Sequence, residues 1–362
     1  MWTLRLKGIP EPVSVYEAVC IKGKIYSFYT YERGKPTYVY ICDPECYRWD
    51  LVKTQPLPDG GPVKLSGYTI VAYGDAAFLW GGTDDGEPDN AVYRFDTNTM
   101  TWSRPQVRGE VPTTLFGHSA CVVGHGMYIF GGLHRDPWQH VWFLDLDSMT
   151  WHRVDTRGEV AADLRFFHTA CAIGTRMYVW GGKVDGTRGR RYDLSLCYLE
   201  TTTSTWVHPQ VEGAPPEGRV DHSAFAYKGN MYIFGGANLD HGIDFADMHR
   251  YDPKNSRWTK LKPHGSGPCA RRLNGCSVIG DRVFVFNGLR RRPNLRERQH
   301  VWLFSFDHES VMDMHVFDFA PSLKTLSLLA FIDAGLEVDR LPPVIGNEIC
   351  AVLINDRPSS AL

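Results

Sequence analysis

The sequence of 362 residues lacks any run of about 18 apolar residues, and its first stretch, MWTLRLKGIPEPVSVYEAV, holds no apolar core typical of a secretory leader. It also lacks an excess of either charge, because 39 Lys and Arg stand against 41 Asp and Glu, for a net charge of −2. We therefore expect no membrane partner. The near balance also argues against nucleic acid as the main ligand.

Paired cysteines are missing as well. The nine cysteines are an odd number and stand mostly in single apolar runs such as HSACVVG, which favours reduced thiols in an intracellular protein. Cys42 and Cys46 have no second pair that would complete a zinc site. We expect a cytoplasmic and nuclear protein without a bound metal.

A repeat of about fifty residues organises most of the chain. In each unit an acidic residue stands six positions before a tryptophan, as Asp145 does before Trp151. Each unit is predicted to form four short strands: a small-residue strand such as 119–123, a MYIF-like strand, an apolar strand before the acidic residue, and the tryptophan strand. The strings FLWGG, MYIFGG, MYVWGG and MYIFGG end at Gly82, Gly132, Gly182 and Gly236, and weaker copies end at Thr30 and Gly288.

The ends of the repeat predict a closed ring. Lys324 stands six residues after Asp318, where a tryptophan is expected, whereas the chain opens on Trp2. The N-terminal strand is therefore predicted to supply the fourth strand of the last blade. A blade cannot bury both of its faces alone, so the blades are expected to stack into a ring. The predicted fold class is all-β, with a six-bladed propeller over residues 1–320, a short helical segment over 321–350 and a flexible tail over 351–362.

The recurring Gly pair, acidic residue and tryptophan resemble the kelch-repeat family over about residues 1–320. Two units depart from the pattern, because Tyr29-Thr30 and Asn287 stand where the Gly pair is expected. Both belong to the seam where the ring closes. The resemblance implies a six-bladed kelch β-propeller.

Four arginines are predicted to line one mouth of the propeller. Alternating strand direction puts the loop after the second strand and the linker into the next blade on one face, where function is expected. Guanidinium groups pair with carboxylates through two hydrogen bonds, so a cluster of them predicts an anion receptor. The alternative is that each arginine braces its own blade by bonding loop carbonyls. The four are Arg165, Arg219, Arg271 and Arg272.

The loops between the second and third strands add further arginines in blades four and six. A solvated loop or a nuclear-import signal is the alternative explanation for the second group. The opposing carboxylates are concentrated in blade two, as Asp84, Asp85, Glu87 and Asp89. The arginines are Arg188, Arg190 and Arg191 in blade four, and Arg290, Arg291, Arg292, Arg296 and Arg298 in blade six.

No catalytic constellation is evident. His118, His168 and His222 recur once per blade, which is what the packing of equivalent units requires, and we predict a structural role for them. A copper enzyme on a kelch frame would need a Cys, Tyr and His ligand set that is not visible here. We expect a non-catalytic protein without a cofactor.

After Asp318 the apolar period changes to that of an amphipathic helix, with Ser322 as N-cap and Gly335 as its end. This helix either covers the side of the propeller or binds a partner. Ser322-Leu323, Ser327 and Phe331 resemble the elongin-binding BC box, with Ser327 in place of the usual cysteine. The segment Leu341 to Ile345, LPPVI, resembles a cullin-2 box.

Together these features resemble the kelch-domain-containing protein 3 family of substrate receptors for cullin-2 ubiquitin ligases. The resemblance implies elongin C, elongin B, cullin-2 and a RING-box protein as partners, and protein C-termini ending in Gly as ligands, bound through the four arginines of the mouth. A non-enzymatic scaffold for cytoskeletal or chromatin partners is the alternative. The resemblance assigns Leu323, Leu326, Ser327 and Phe331 to elongin C, and Leu341, Pro342 and Ile345 to cullin-2.

Overall fold

Nearly all regular structure in the computed structural model is β-structure. The structure describes residues 1–7, 17–29, 38–55, 57, 65–84, 87–113, 116–133, 141–158, 165–186, 189–292, 308–321, 323 and 326. Within these ranges only Leu323 and Leu326 have helical backbone. None of the described residues belongs to a helix of the length and apolarity that a membrane crossing requires.

The described ranges contain thirty-six short strands. The first eighteen are β1 (Trp2–Lys7), β2 (Ala18–Ile21), β3 (Lys24–Tyr29), β4 (Tyr38–Asp43), β5 (Arg48–Lys53), β6 (Leu65–Ser66), β7 (Thr69–Tyr73), β8 (Ala76–Trp80), β9 (Thr83–Asp84), β10 (Glu87–Pro88), β11 (Val92–Asp96), β12 (Thr101–Ser103), β13 (Arg108–Gly109), β14 (Ser119–Val123), β15 (Gly126–Phe130), β16 (Val141–Asp145), β17 (Thr150–Val154) and β18 (Arg165–Phe166). The others are β19 (Thr169–Ile173), β20 (Arg176–Trp180), β21 (Lys183–Gly186), β22 (Gly189–Tyr192), β23 (Cys197–Glu200), β24 (Thr205–Val207), β25 (Glu212–Gly213), β26 (Ser223–Tyr227), β27 (Asn230–Phe234), β28 (Ala237–Asn238), β29 (Ile243–Asp244), β30 (Met248–Asp252), β31 (Arg257–Leu261), β32 (Gly275–Ile279), β33 (Arg282–Phe286), β34 (Leu289–Arg291), β35 (His308–Ser310) and β36 (Asp313–Asp318).

Six sheets carry the repeats, one for each predicted blade, and the four main strands of each are antiparallel. Their strand orders are β2-β3-β4-β5, β7-β8-β11-β12, β14-β15-β16-β17, β19-β20-β23-β24, β26-β27-β30-β31 and β32-β33-β36-β1. In blades three and five a short linker strand, β13 or β25, adds a parallel fifth strand. The first strands contact one another in an unbroken circuit from β2 through β7, β14, β19, β26 and β32 back to β2. The predicted all-β class and the kelch pattern of four strands per unit are confirmed.

The N-terminal strand occupies the place of the missing tryptophan strand. β1 pairs antiparallel with β36, with Trp2 opposite Phe317. Trp2 is 7% exposed, and its ring packs edge-on against Phe234 and Phe317. In blades three, four and five a glycine of the preceding linker lies against the carbonyl of the tryptophan, and Gly265 lies against that of Trp2 in the same way. Trp2 is thus the structural equivalent of Trp151, Trp206 and Trp258.

The second strand of each blade explains why these sequences are apolar on both faces. A blade lies between two neighbours, so both faces of its inner strands are buried. In β8 (AAFLW) all five residues are buried, and in β33 (RVFVF) the last four are. The turn after this strand is left-handed, with Gly131 at φ 69° and Gly181 at φ 74°. Asn287 adopts φ 54° at the equivalent position, since asparagine tolerates this conformation better than most residues.

The linkers into the blades and the loops after the second strands meet on one face, as alternating strand direction predicts. The linker strand β18 pairs with β21, and β6 pairs with β9. Single bridges join Val220 to Ala237 and Arg272 to Leu289. This face therefore has a rim of short hairpins around the axis: β9–β10, β21–β22, β28–β29 and β34–β35.

Candidate functional site

An axial cavity opens between the first strands of the six blades. Its volume is about 310 Å³. Glu17, Thr69, Ser119, Thr169 and Ser223 line it at or next to the start of a first strand. Burial raises the pKa of the Glu17 carboxyl to about 7. The cavity is large enough for the end of a peptide chain, and it carries a titratable acid on the blade-one side.

One linker residue per blade, in blades two to six, shapes the mouth of this cavity with a left-handed backbone. Phe116 lies against Gly67 and Phe167 lies against Gly117, at positions where a side chain on either glycine would collide with the ring. Phe116 and Phe167 meet edge-on, with ring centroids 5.5 Å apart. The mouth is therefore aromatic on the side of blades three and four and acidic at Asp221. The five residues are Gly67 (φ 71°), Gly117 (72°), Phe167 (54°), Asp221 (56°) and Leu273 (52°).

The recurring histidines join neighbouring blades below the mouth. Each takes the hydroxyl of the preceding blade as hydrogen-bond partner: Thr69 with His118 at 3.0 Å, Ser119 with His168 at 2.8 Å and Thr169 with His222 at 2.7 Å. In blade six the side-chain amide of Asn274 donates to Ser223 at 2.9 Å. All four side chains at this position are buried. The prediction of a structural role for His118, His168 and His222 is confirmed.

Substituting His222 with asparagine is expected to flatten the dependence of stability on pH between pH 7 and pH 5. Burial, with Arg219 nearby, lowers the pKa of His222 to about 3. The unfolded chain takes up a proton below about pH 6.5 while the folded imidazole stays neutral, so stability falls with pH and one such histidine costs roughly 2 kcal/mol between pH 7 and pH 5. The Asn274 amide shows that asparagine supports the same interblade bond.

Urea denaturation at both pH values measures this effect. The loss of unfolding free energy between pH 7 and pH 5 should be smaller in the variant by about 2 kcal/mol. Replacing the exposed His208 with asparagine serves as the matched control and should leave the loss unchanged. Equal losses in the wild type and the His222→Asn variant would contradict a neutral His222.

Three of the predicted mouth arginines lie inside the blades. Arg165, Arg219 and Arg271 are each 0% exposed. Arg219 donates from Nη1 to Asp247 at 2.6 Å and to the carbonyl of Gly235 at 3.0 Å. Arg271 donates through both terminal nitrogens to Asp313, at 2.5 and 3.1 Å. Arg165 pairs with Asp193 through one terminal nitrogen, which also donates to the Ser195 hydroxyl at 3.0 Å.

The prediction that these three guanidinium groups face a ligand is therefore corrected. Each already contacts an aspartate and loop carbonyls of its own blade. This agrees with the alternative that each arginine braces its own blade, with an aspartate carboxylate as a further partner. Burial opposes the charge on Asp247 and Asp313, but hydrogen bonds from His249 and His315 and the paired arginines hold their pKa values well below the usual range. Each of these pairs is a buried ion pair that fixes the linker to the third strand.

The same arginines also position the contact between blades. The backbone N–H of Gly182 donates to the carbonyl of Arg219 at 2.9 Å, and that of Gly236 donates to Arg271 at 2.8 Å. The Arg219 guanidinium further lies 3.8 Å from the ring centroid of Phe245. Each of these two arginines therefore holds its own linker through its side chain and offers its backbone carbonyl as a hydrogen-bond acceptor to the preceding blade.

The aspartate partners were missed by sequence reasoning. Asp247 and Asp313 each open the string Asp-Met-His, which occurs once in blade five and once in blade six. The histidines of these strings, His249 and His315, contact the aspartates at 3.0 and 3.2 Å. This repeated string is the signal that could have identified the partners of Arg219 and Arg271.

Arg272 differs from the other three. It is also buried, at 1% exposed, but its carboxylate partner is Asp221 of the neighbouring blade, at 3.4 Å. Asp221 lines the cavity, and burial raises the pKa of its carboxyl to about 6 although Arg272 opposes this rise. Arg272 also contacts the Nδ1 atom of His308 at 3.4 Å.

The rim arginines divide into exposed and partly buried groups. Arg190, Arg191, Arg290 and Arg292 are exposed, whereas Arg291 is partly buried. Arg290 pairs with Glu309. Arg188, Arg296 and Arg298 lie outside the described residues, as does Asp85 of the acidic group in blade two.

Of the tail residues assigned to partners, the structure describes two. Leu323 is 82% exposed and Leu326 is 43% exposed, both with helical backbone. Ser327, Phe331, Leu341, Pro342 and Ile345 lie outside the described residues. Among the residues that are described, no group of three or more His, Cys, Asp or Glu side chains is placed to hold a metal ion.

Comparison with known proteins finds kelch-repeat proteins in each case. The model of the "KLHDC2/KLHL20/DRC7 Kelch-repeats domain" matches residues 67–288. Kelch domain-containing protein 3 of Bos taurus is 37% identical over 99% of this chain and 97% of its own length, and that of Homo sapiens is 36% identical over the same shares. Kelch domain-containing protein 2 of Bos taurus is 25% identical over 63% of this chain and 64% of its own length.

Proposed function

Because the chain belongs to the kelch-repeat family of Kelch domain-containing protein 3, we propose that it is the substrate-recognition subunit of a cullin-2 ubiquitin ligase. In this role the propeller binds the C-termini of substrate proteins, and the segment after it binds elongin C and cullin-2. Elongin B and the RING-box protein complete the assembly. The chain itself performs no chemistry, since the ubiquitin is transferred by the RING-bearing partner and its conjugating enzyme.

The observation that carries the ligase half of the proposal is the exposed leucine pair after the last blade. Leu323 and Leu326 are three residues apart on helical backbone, so they share one face. A leucine that is 82% exposed, as Leu323 is, gains free energy when a partner removes it from water. We assign this face to elongin C, with Ser327 and Phe331 extending it and Leu341, Pro342 and Ile345 contacting cullin-2.

The recognition half of the proposal uses the cavity mouth. A space of about 310 Å³ admits a chain end more readily than a continuous chain, because an internal segment would have to enter and leave by the same opening. A C-terminal glycine would bring a carboxylate with no side chain to collide with Phe167. In this proposal the terminal carboxylate displaces Asp221, which lines the cavity, and takes its place against the buried Arg272 guanidinium.

A Gly-ended peptide is expected to bind the full-length chain, and its C-terminally amidated form should bind at least about tenfold more weakly. The reason is that a charge-assisted hydrogen bond contributes about 1.5–3 kcal/mol. The Asp221→Asn variant should bind the free-acid peptide roughly threefold to tenfold more tightly, because it removes the competing carboxylate. Fluorescence anisotropy with labelled peptides measures both effects.

Two results would contradict this recognition mode. One is equal affinity for the acid and the amide. The other is weaker binding to Asp221→Asn, which would mean that the aspartate itself contacts the ligand. An Asp155→Asn variant, at an exposed aspartate on the outer part of blade three, is the matched control and should bind like the wild type.

A further inference from the structure

The rim hairpins of blades four, five and six are held together as one surface. Lys183 of blade four pairs with Asp240 of blade five at 2.6 Å, and the Tyr192 hydroxyl accepts a hydrogen bond from the blade-five loop. The backbone N–H of Arg291 in blade six donates to Asp244 of blade five at 2.7 Å. A ligand on this surface would contact a preformed arrangement, which reduces the entropic cost of binding.

Each of these three blades exposes a large apolar side chain close to its rim hairpin. Leu194 follows β22 and is 54% exposed, Ile243 lies in β29 and is 43% exposed, and Met312 precedes β36 and is 47% exposed. Single exposed apolar residues are ordinary on protein surfaces, but three in successive blades on one face are typical of an interaction site. Apolar area of this kind favours a partner that brings apolar side chains of its own.

The same rim carries several arginines, of which Arg290 is paired with Glu309. Arg190 and Arg191 in blade four are exposed, and so are Arg290 and Arg292 in blade six. The Arg190 guanidinium lies 5.2 Å from the ring centroid of Phe166. Phe166 in turn contacts Phe167 at the cavity mouth, with centroids 5.3 Å apart. The arginines of blade four are thus one side-chain layer away from the mouth.

We propose that this rim surface, formed by Arg190, Arg191, Leu194, Ile243, Arg290, Arg292 and Met312, binds an acidic and apolar segment of the substrate, located upstream of the C-terminus that occupies the mouth. The proposal rests on the proposed function, because the bound C-terminus brings the upstream segment to the rim. Charge complementarity selects the acidic residues of that segment, and the exposed apolar side chains select the apolar residues between them.

Four peptides with the same length and the same three C-terminal residues test the proposal. Two carry alternating Glu and Leu upstream and two carry Ser and Ala there, and each kind is made as a free acid and as an amide. We expect the acidic-apolar free acid to bind the full-length chain at least tenfold more tightly than its Ser-Ala counterpart. The gain should shrink as salt is raised, since exposed charges are screened.

The double variant Arg190→Glu/Arg191→Glu should remove this gain while leaving the affinity for the Ser-Ala free acid unchanged. Arg153→Glu, at an exposed arginine on the outer strand of blade three, is the matched control and should retain the gain. Thermal denaturation confirms that both variants are folded.

The outcomes separate the two proposals. No gain from the acidic-apolar segment, or a gain lost equally in Arg153→Glu, overturns the rim surface even if the free acid still binds better than the amide. Equal binding of acid and amide overturns recognition of the C-terminus, whether or not the acidic segment contributes. If the acidic-apolar free acid binds more tightly than the Ser-Ala free acid only in the wild type and in Arg153→Glu, the proposed binding role of the rim surface is supported.

Discussion

Replacing Arg219 with alanine is expected to lower the free energy of unfolding by about 3–5 kcal/mol, because it leaves the buried Asp247 carboxylate without its partner. Arg219 is 0% exposed and contacts Asp247 at 2.6 Å. The variant also loses the guanidinium that orients the linker, whose carbonyl accepts a hydrogen bond from Gly182 of the preceding blade. The damage should therefore extend to the contact between blades four and five.

Two further variants isolate the ion pair from other consequences of truncation. The double variant Arg219→Ala/Asp247→Ala should be less destabilised than the sum of the single variants, because neither charge remains buried alone. Arg153→Ala, at an exposed arginine, should change the unfolding free energy by less than about 0.5 kcal/mol. Chemical denaturation of the wild type, Arg219→Ala, Asp247→Ala, the double variant and Arg153→Ala measures these effects. Loss of peptide binding in Arg219→Ala with an unchanged unfolding free energy would restore Arg219 as a ligand contact.

The strands and their order could be predicted because every repeat carries the same markers. The small-residue strand was expected at 119–123, and β14 has these bounds. The pairing of β1 with β36 followed from the absence of a tryptophan six residues after Asp318 and its presence at position 2. Such predictions succeed because they depend on the spacing of residues within about fifty positions, which the repeat fixes several times over.

The direction of the arginine side chains could not be predicted in the same way. Arg219 meets an aspartate 28 residues later, whereas the partner of Arg271 is 42 residues later. Arg165 and Arg219 share the spacing of 28 residues, but the longer loop of blade six changes it, so one constant spacing does not reveal all three pairs. An arginine that recurs at one position in three blades was equally compatible with a structural role and with ligand binding. The burial of the three guanidinium groups favours the structural role.

The shape of the mouth was also beyond sequence reasoning. Phe167, Asp221 and Leu273 adopt left-handed backbone that L-residues seldom take up. In blades two and three the same position is glycine, which gave no sign that larger residues would follow in the next blades. Tertiary contacts impose this conformation, as when Phe167 fills the space that Gly117 leaves open.

Co-expression with elongin B and elongin C, followed by size-exclusion chromatography, tests the ligase role most directly. The full-length chain is expected to co-elute with both partners, and Leu323→Asp should abolish co-elution, because it places a charge where an apolar side chain would be buried. Leu51→Asp, at a leucine that is 48% exposed in β5 of blade one, should co-elute like the wild type. A wild-type chain that elutes alone, or a Leu323→Asp variant that still co-elutes, would contradict the proposed receptor.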